Sequence, residues 1–246
     1  MIDLSLPVSD LIKPARKLNE DLENVTFSPP VAFVYRPLEY AWTPHELYLK
    51  RYGSTRKRVL FLGMNPGPFG MTQTGVPFGE IAAVRDWMGI ETPVAKPPVE
   101  HPKRPITGFA CTKSEVSGRR LWGLFAERFG TADAFFKDHF VVNYCPLVWM
   151  SETGANLTPD KLSSSEMAPV EAACQAHLAE VIRILKPSFL IGVGAFAEAR
   201  LMRAAETLGN KDAVIGKVLH PSPASPAANR GWAEAATKQL EAQGVW

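Results

Sequence analysis

Cysteine is scarce in this chain: Cys111, Cys145 and Cys174 are an odd number with no C-x-x-C spacing. That argues against a disulfide framework and against a four-thiolate cluster or zinc site, and points to three reduced thiols. Long apolar runs are also missing, so no stretch approaches the length that spans a bilayer. The first residues, with Asp3 and Asp10 among them, lack the basic-then-apolar order of a signal peptide. The expectation is an intracellular soluble protein, in the cytoplasm or nucleoid of a bacterium or the nucleus of a eukaryote, with no membrane partner. Charge of one sign is not in excess. A net charge of +2 is too small to argue for nucleic acid by itself. Local basic clusters at Arg56-Lys57-Arg58, at Lys96, His101, Lys103 and Arg104, and at Arg119-Arg120 read as solvated faces with weak support for a phosphate-backbone partner.

What is present is ordinary globular sequence, 46% hydrophobic and 21% charged over 246 residues. A chain of that length buries about three quarters of its unfolded surface in one core, so a single domain over 1–246 is expected.

The stretch 59–80, VLFLGMNPGPFGMTQTGVPFGE, organises the rest. Val59, Leu60, Phe61 and Leu62 form an unbroken apolar run, the pattern of a strand buried on both faces in a parallel sheet. Gly63, Asn65, Pro66, Gly67, Pro68 and Gly70 then stop it; so many turn formers neither continue a strand nor start a long helix. Taken alone, such a turn is a tight connection with Asn65 capping it. Sites of open α/β sheets lie where strands end, which makes the lone polar Asn65 a candidate for chemistry.

In chain order, Ser9 is a plausible cap for a helix carrying Leu11, Ile12, Ala15, Leu18 and Leu22 on one face. Thr43 is placed to cap a second helix running to Tyr52, with Pro44 at its permitted first position. A short helix through Ile81, Val84, Trp87 and Met88 is closed by Gly89. Five prolines between Thr92 and Gly108 predict an irregular surface loop. The spacing of Val116, Leu121, Leu124, Phe125 and Phe129 predicts a helix over 115–130. A strand at 140–142 ends in Asn143-Tyr144-Cys145-Pro146. Ser163 and Glu166 match a capping box for a long helix stopped by Pro187. A strand over 189–193, a helix through Leu201 and a strand over 214–219 follow. A last helix is expected to start at Ser225 and Pro226 and to end at Gly244.

Strands alternating with helices, without internal repeats, imply a three-layer α/β/α sandwich around a short, mainly parallel sheet of about four strands. Three of those strands end in a polar residue set in a turn: Asn65, Asn143 and His220.

These turns carry a resemblance. GMNPGPFGMTQTGVPFGE at 63–80, NYCPL at 143–147 and HPSPASPAANRGW at 220–232 resemble the hallmark segments of the single-strand-selective monofunctional uracil-DNA glycosylases. EVSG at 115–118 and NLTP at 156–159 resemble that family as well. One Asn-Pro-Gly is a weak signal; three such segments in the right order are specific. The resemblance implies the uracil-DNA glycosylase fold and a monofunctional enzyme that flips uracil, and 5-hydroxymethyluracil, out of single- or double-stranded DNA. It would hydrolyse the N-glycosidic bond and leave an abasic site for base excision repair.

On that resemblance Asn65 is similar to the residue that positions the attacking water, and His220 to the donor that meets charge on the departing base. Asn143 resembles the reader of the uracil edge, and Phe78 the platform on which the base stacks. Met64, Gly67 and Met71 resemble the pocket lining, the latter two near position 5 of the pyrimidine, where a held water admits a hydroxymethyl group and rejects a methyl. Pro221, Ser222, Pro223, Ala224 and Ser225 resemble a wedge that enters the duplex, stiffened by proline. Arg230 is placed nearby to hold a phosphate. Some members carry an arginine where this chain has Ala224, which bears on duplex penetration. No lysine matches a Schiff-base position, and neither metal nor organic cofactor is implied. The expected partner is uracil-containing DNA, met by a monomer. Three other readings stay open at this point. One is a glycosylase mainly for deaminated purines such as hypoxanthine or xanthine. The others are a nucleotide-processing α/β enzyme, which lacks G-x-x-x-x-G-K-[ST], and a DNA-binding module without activity.

Overall fold

The computed structural model describes residues 9–246. The residues on which the absence of a leader was mainly read, and the side chain of Ser9, lie outside what is described. The elements are α1 (Ser9–Asp21), β1 (Phe33–Tyr35), α2 (Pro37–Tyr40), α3 (Trp42–Tyr52), β2 (Val59–Gly63), α4 (Met71–Thr74), α5 (Val116–Phe129) and α6 (Ala132–Phe136). They continue with β3 (His139–Asn143), β4 (Val148–Met150), β5 (Asn156–Leu157), α7 (Ser164–Leu185), β6 (Phe189–Val193), α8 (Ala195–Thr207), β7 (Val214–Val218) and α9 (Trp232–Ala242).

The four expected strands form one sheet in the order β3-β2-β6-β7, every neighbouring pair parallel. β2 is central and buried along its whole length, which is why it reads as a continuous apolar run. Its side chains alternate between two helical layers. Phe61 meets Phe125 of α5 and Phe135 of α6, with ring centroids 5.1 and 6.5 Å away. Tyr48 of α3 stacks at 5.1 Å on Phe140 of β3 and donates its hydroxyl to the Val141 carbonyl at 2.8 Å. The arrangement is the α/β/α sandwich that the alternation implied, and one continuous core runs from Leu11 to Val245.

A second sheet, β1-β4-β5, is antiparallel and was not legible in the sequence. Its strands of two or three residues are too short to show a period. It carries Asn156 to the rim of the first sheet. α2, α4 and α6, each of four or five residues, were missed for the same reason.

Several local expectations are corrected. α3 starts at Trp42, one residue before Thr43, which therefore does not cap it. Ser163 precedes α7 but makes no capping bond; its hydroxyl pairs with Ser165, and Glu166 instead accepts the Ser28 N–H at 2.7 Å. The helix expected from Ser225 starts at Trp232, because Gly231 at φ 123° separates a short turn, Ala228–Arg230, from α9. The segment through Val84 is a π-helical turn, Ala83–Trp87. Of the Arg56-Lys57-Arg58 cluster, Lys57 is buried, its ammonium bonded to the Phe136 carbonyl and the Thr55 hydroxyl, and burial lowers its pKa to about 8. Arg58 donates to the Val245 carbonyl. Those two cations tie chain segments together at the end of the sheet away from the polar turns.

Two buried histidines make stability pH-dependent. His45 donates from Nδ1 to the Gly75 carbonyl at 2.8 Å and His139 to the Phe135 carbonyl at 3.0 Å. Burial lowers both pKa values from 6.5 to about 4. The unfolded chain binds these protons first, so stability is intact above pH 6.5 and is lost as pH falls toward 4. The thermal midpoint is expected to be level near neutrality and to drop through that window; a midpoint unchanged across it counts against the assignment.

Candidate active site

The C-terminal ends of the parallel strands supply the site. β2 ends at Gly63 opposite Asn143 at the end of β3, so the turn beginning at Met64 and the Asn143 side chain emerge side by side. His220 follows β7 by two residues and lies beside Gly194, at the end of β6, where the nearest histidine atoms are 3.4 Å from the place a Cβ would take. Gly194 has φ 94°, a backbone conformation that strains any residue with a side chain, whereas a Cβ there would only touch the imidazole at ordinary contact distance.

Met64, Asn65, Gly67, Met71, Phe78, Asn143, His220, Ser222 and Pro223 line one cavity of about 280 Å³. Nine of the thirteen residues singled out from the sequence are thus brought together. Pro221 is buried behind the cavity, while Ala224, Ser225 and Arg230 lie outside its lining, with Ala224 and Arg230 exposed. Pro66, Pro68, Gly70, Glu115, Ser117 and Asn156 join the lining without having been assigned a place in it. The signal for three of them was in the EVSG and NLTP segments.

Each polar group is held by a second contact that fixes its direction. Asn65 donates through Nδ2 to the Leu147 carbonyl at 3.2 Å and to the Pro66 carbonyl at 3.4 Å. Its Oδ1 has no protein donor among the described residues, so the amide offers an acceptor. Asn143 donates through Nδ2 to the Met71 sulfur at 3.5 Å, a weak acceptor, which leaves one N–H and the carbonyl oxygen for a ligand. His220 accepts the Ser222 backbone N–H at Nδ1, 3.1 Å away. That bond requires an unprotonated Nδ1, and burial lowers the histidine's pKa, so the neutral ring carries its proton on Nε2 as a single donor.

Phe78 has φ 52°, a left-handed conformation costly for an aromatic residue. Its carbonyl accepts the Trp122 indole N–H at 3.1 Å and lies only 1.9 Å from where a Cβ on Gly118 would stand. α5 therefore clamps the Phe78 backbone and holds the ring over the cavity, 6.5 Å from the His220 ring.

Gly63 has a cross-strand purpose. A Cβ there would come within 2.4 Å of Asn143 Oδ1 and 2.6 Å of the Phe78 ring. Both are ends of side chains that can swing aside, so Gly63→Ala is expected to fold but to misplace the two groups. Any reaction that uses this cavity should slow about tenfold, with the thermal midpoint nearly unchanged, since small displacements at a reacting centre are costly. Full activity in that variant would show that neither side chain needs its present place.

The loop after His220 is braced rather than free. Arg120 donates to the Pro221 carbonyl at 2.9 Å and to Asn229 Oδ1 at 2.8 Å, and Asn229 donates to the Pro223 carbonyl at 2.9 Å. Arg120, read from the sequence as part of a surface cluster, is a strut of this loop. Pro223 and Ala224 stand exposed at its tip.

The profile of the uracil DNA glycosylase superfamily matches residues 50–241. A single-strand selective monofunctional uracil DNA glycosylase of Bos taurus is 48% identical over 229 residues, 93% of this chain and 84% of its own length. A protein of the same name from Mus musculus is 47% identical over the same share of this chain and 82% of its own. The crystal structure of wild-type SMUG2 from Pedobacter heparinus superposes with a TM-score of 0.64 at 19% identity, covering 93% of this chain and 96% of that one, a likeness of fold. The chain belongs to the uracil DNA glycosylase superfamily and, within it, to the single-strand selective monofunctional uracil DNA glycosylases.

Proposed function

We propose that this protein is a monofunctional DNA glycosylase that flips uracil out of DNA, hydrolyses its N-glycosidic bond and leaves an abasic site. The observation that carries the reading is that an outward-facing amide acceptor, a second amide and a neutral imidazole donor, from three different strand ends, line one cavity beside an aromatic ring.

The base stacks on Phe78, an interaction worth about 1–3 kcal/mol. Asn143 accepts from N3–H and donates to O4; cytosine presents the reverse pattern and leaves both amide groups unpaired. As the bond to the sugar lengthens, negative charge grows on the base and His220 donates to O2 where that charge gathers. The sugar becomes an oxocarbenium ion. Asn65 orients the water that traps it; an amide is too weak a base to take the proton early, so attack falls late, on a cation already formed. The exposed tip at Pro223 and Ala224 fills the space left in the duplex. With alanine there, the wedge is short, which favours single-stranded or loosely paired substrate. Arg230, exposed beside the loop, holds a phosphate. The protein acts as one domain and as a monomer on intracellular DNA, without a cofactor.

The test is an oligonucleotide with one uracil, incubated with the protein and then heated in alkali. Strand breakage at the uracil only after alkali is the expected result. Breakage without alkali would contradict the monofunctional reading, and retained binding without breakage would favour an inactive DNA-binding module. A panel carrying uracil, 5-hydroxymethyluracil, hypoxanthine and xanthine places the substrate range.

A further inference from the structure

The mechanism above does not use Phe69, which sits in the turn that carries Asn65. Pro68 and Gly70 on either side of it line the cavity and Phe69 does not, so its ring stands beside the cavity rather than in it. Among the described residues it is the one Phe, Trp or Tyr that packs against neither the main core nor the smaller apolar cluster around Tyr35, Tyr40 and Ile106. It is half-buried all the same. One face of the ring is covered by the Arg104 guanidinium, 5.3 Å from the ring centroid.

Arg104 is held in that place. Its Nε donates to the Gly154 carbonyl at 3.0 Å, in the turn between β4 and β5, and its own carbonyl accepts the Tyr35 hydroxyl at 2.8 Å. Among the described residues its two terminal nitrogens meet no acceptor, and no carboxylate pairs with the guanidinium. Glu100, in the same loop, is taken up by Lys96 and by the Ile106 N–H. Lys103 beside Arg104 is exposed. A cation read from the sequence as part of a solvated face is therefore fixed over an aromatic ring, with the outer N–H groups of its fork unspent.

A ring outside the core and a guanidinium with free N–H groups are together what a nucleotide binds: the base stacks on the ring, whatever its identity, and the phosphate takes the fork. With uracil in the cavity, as the function proposed above has it, the next nucleotide of the strand lies at the rim where Phe69 stands. We propose, on the basis of that function, that Phe69 and Arg104 form a second nucleotide subsite, which takes the residue adjacent to the flipped uracil from single-stranded DNA. In a duplex the adjacent base is stacked and paired within the helix, so the ring can meet it only by breaking those contacts.

Single-turnover release of uracil from a single-stranded oligonucleotide, followed against protein concentration, separates binding from chemistry: the half-saturating concentration reads the first and the plateau rate the second. In Phe69→Leu, which keeps apolar bulk and removes the stacking face, the half-saturating concentration is expected to rise about tenfold, with the plateau within about threefold. Phe69→Tyr should restore it. A three-carbon spacer in place of the nucleoside on one or the other side of the uracil should cost the unsubstituted protein about the same, and cost Phe69→Leu nothing more. On the matched duplex Phe69→Leu should bind within about threefold of the unsubstituted protein. Arg104→Gln should flatten the fall of log affinity with log salt by about 0.7, one phosphate of a single strand. An unchanged half-saturating concentration in Phe69→Leu, equal losses on single strand and duplex, or spacers that cost both proteins alike would overturn the proposal, since a ring that merely props the Arg104 loop weighs on every substrate the same. An unaltered salt slope in Arg104→Gln would overturn it too, by removing the phosphate contact. If the unsubstituted protein releases no uracil, the functional reading itself fails, and that shows before any variant is made.

Discussion

Asn65→Ala is expected to slow uracil release by about 100- to 1,000-fold while changing the affinity for uracil-containing DNA far less, the signature of a group that orients a reactant. Its water needs an acceptor at one place, and the structure supplies that by spending the amide N–H groups elsewhere: Nδ2 is tied to the Leu147 and Pro66 carbonyls at 3.2 and 3.4 Å. Those two carbonyls also explain why an amide suits this position. A carboxylate would set an oxygen against both of them with no proton between, so an aspartate would have to turn away or take up a proton. Asn65→Ala removes the acceptor and a half-buried side chain in a proline-rich turn, which leaves the fold in place; the thermal midpoint serves as the control. Uracil release within about threefold of the unsubstituted protein would mean that the water is held by another group.

The fold was legible wherever a segment announced itself by its own neighbours. Val59 to Leu62 read as a buried parallel strand because both faces are covered, and Asn143 and His220 read as strand-end residues because turn formers follow them. What stayed hidden depends on partners far along the chain. Leu147, the anchor of Asn65, is a backbone carbonyl 82 residues away and leaves no trace in the side-chain pattern. Gly63 read as the start of a turn, yet its missing side chain makes room for Asn143 and Phe78. Glu166 satisfies a local capping motif on paper, but tertiary contact gave its carboxylate to Ser28. Met71, marked from the resemblance as pocket lining, begins a single helical turn and its sulfur accepts from Asn143. Resemblance to a family marked the positions; the contacts that aim each group came only with the coordinates.

His220→Ala should cost about 100- to 1,000-fold in the chemical step, as removal of a preorganised donor from a dry site does elsewhere. The donor is set by one backbone contact. Because the Ser222 N–H points at Nδ1, the neutral ring must hold its proton on Nε2, the nitrogen left to meet O2 of the base. Burial favours the uncharged ring and lowers its pKa below 6.5, so the imidazole is neutral at physiological pH and activity should be level there. As pH falls below that lowered value a proton goes onto Nδ1, two N–H groups then face each other, and the ring and the loop through Pro223 lose their register. The unsubstituted enzyme should therefore lose activity on the acid side, below the ordinary histidine range, and the residual activity of His220→Ala should lack that limb. An acid limb unchanged in the variant would assign it to another group, and uracil release close to normal would remove His220 from the charge-stabilising role.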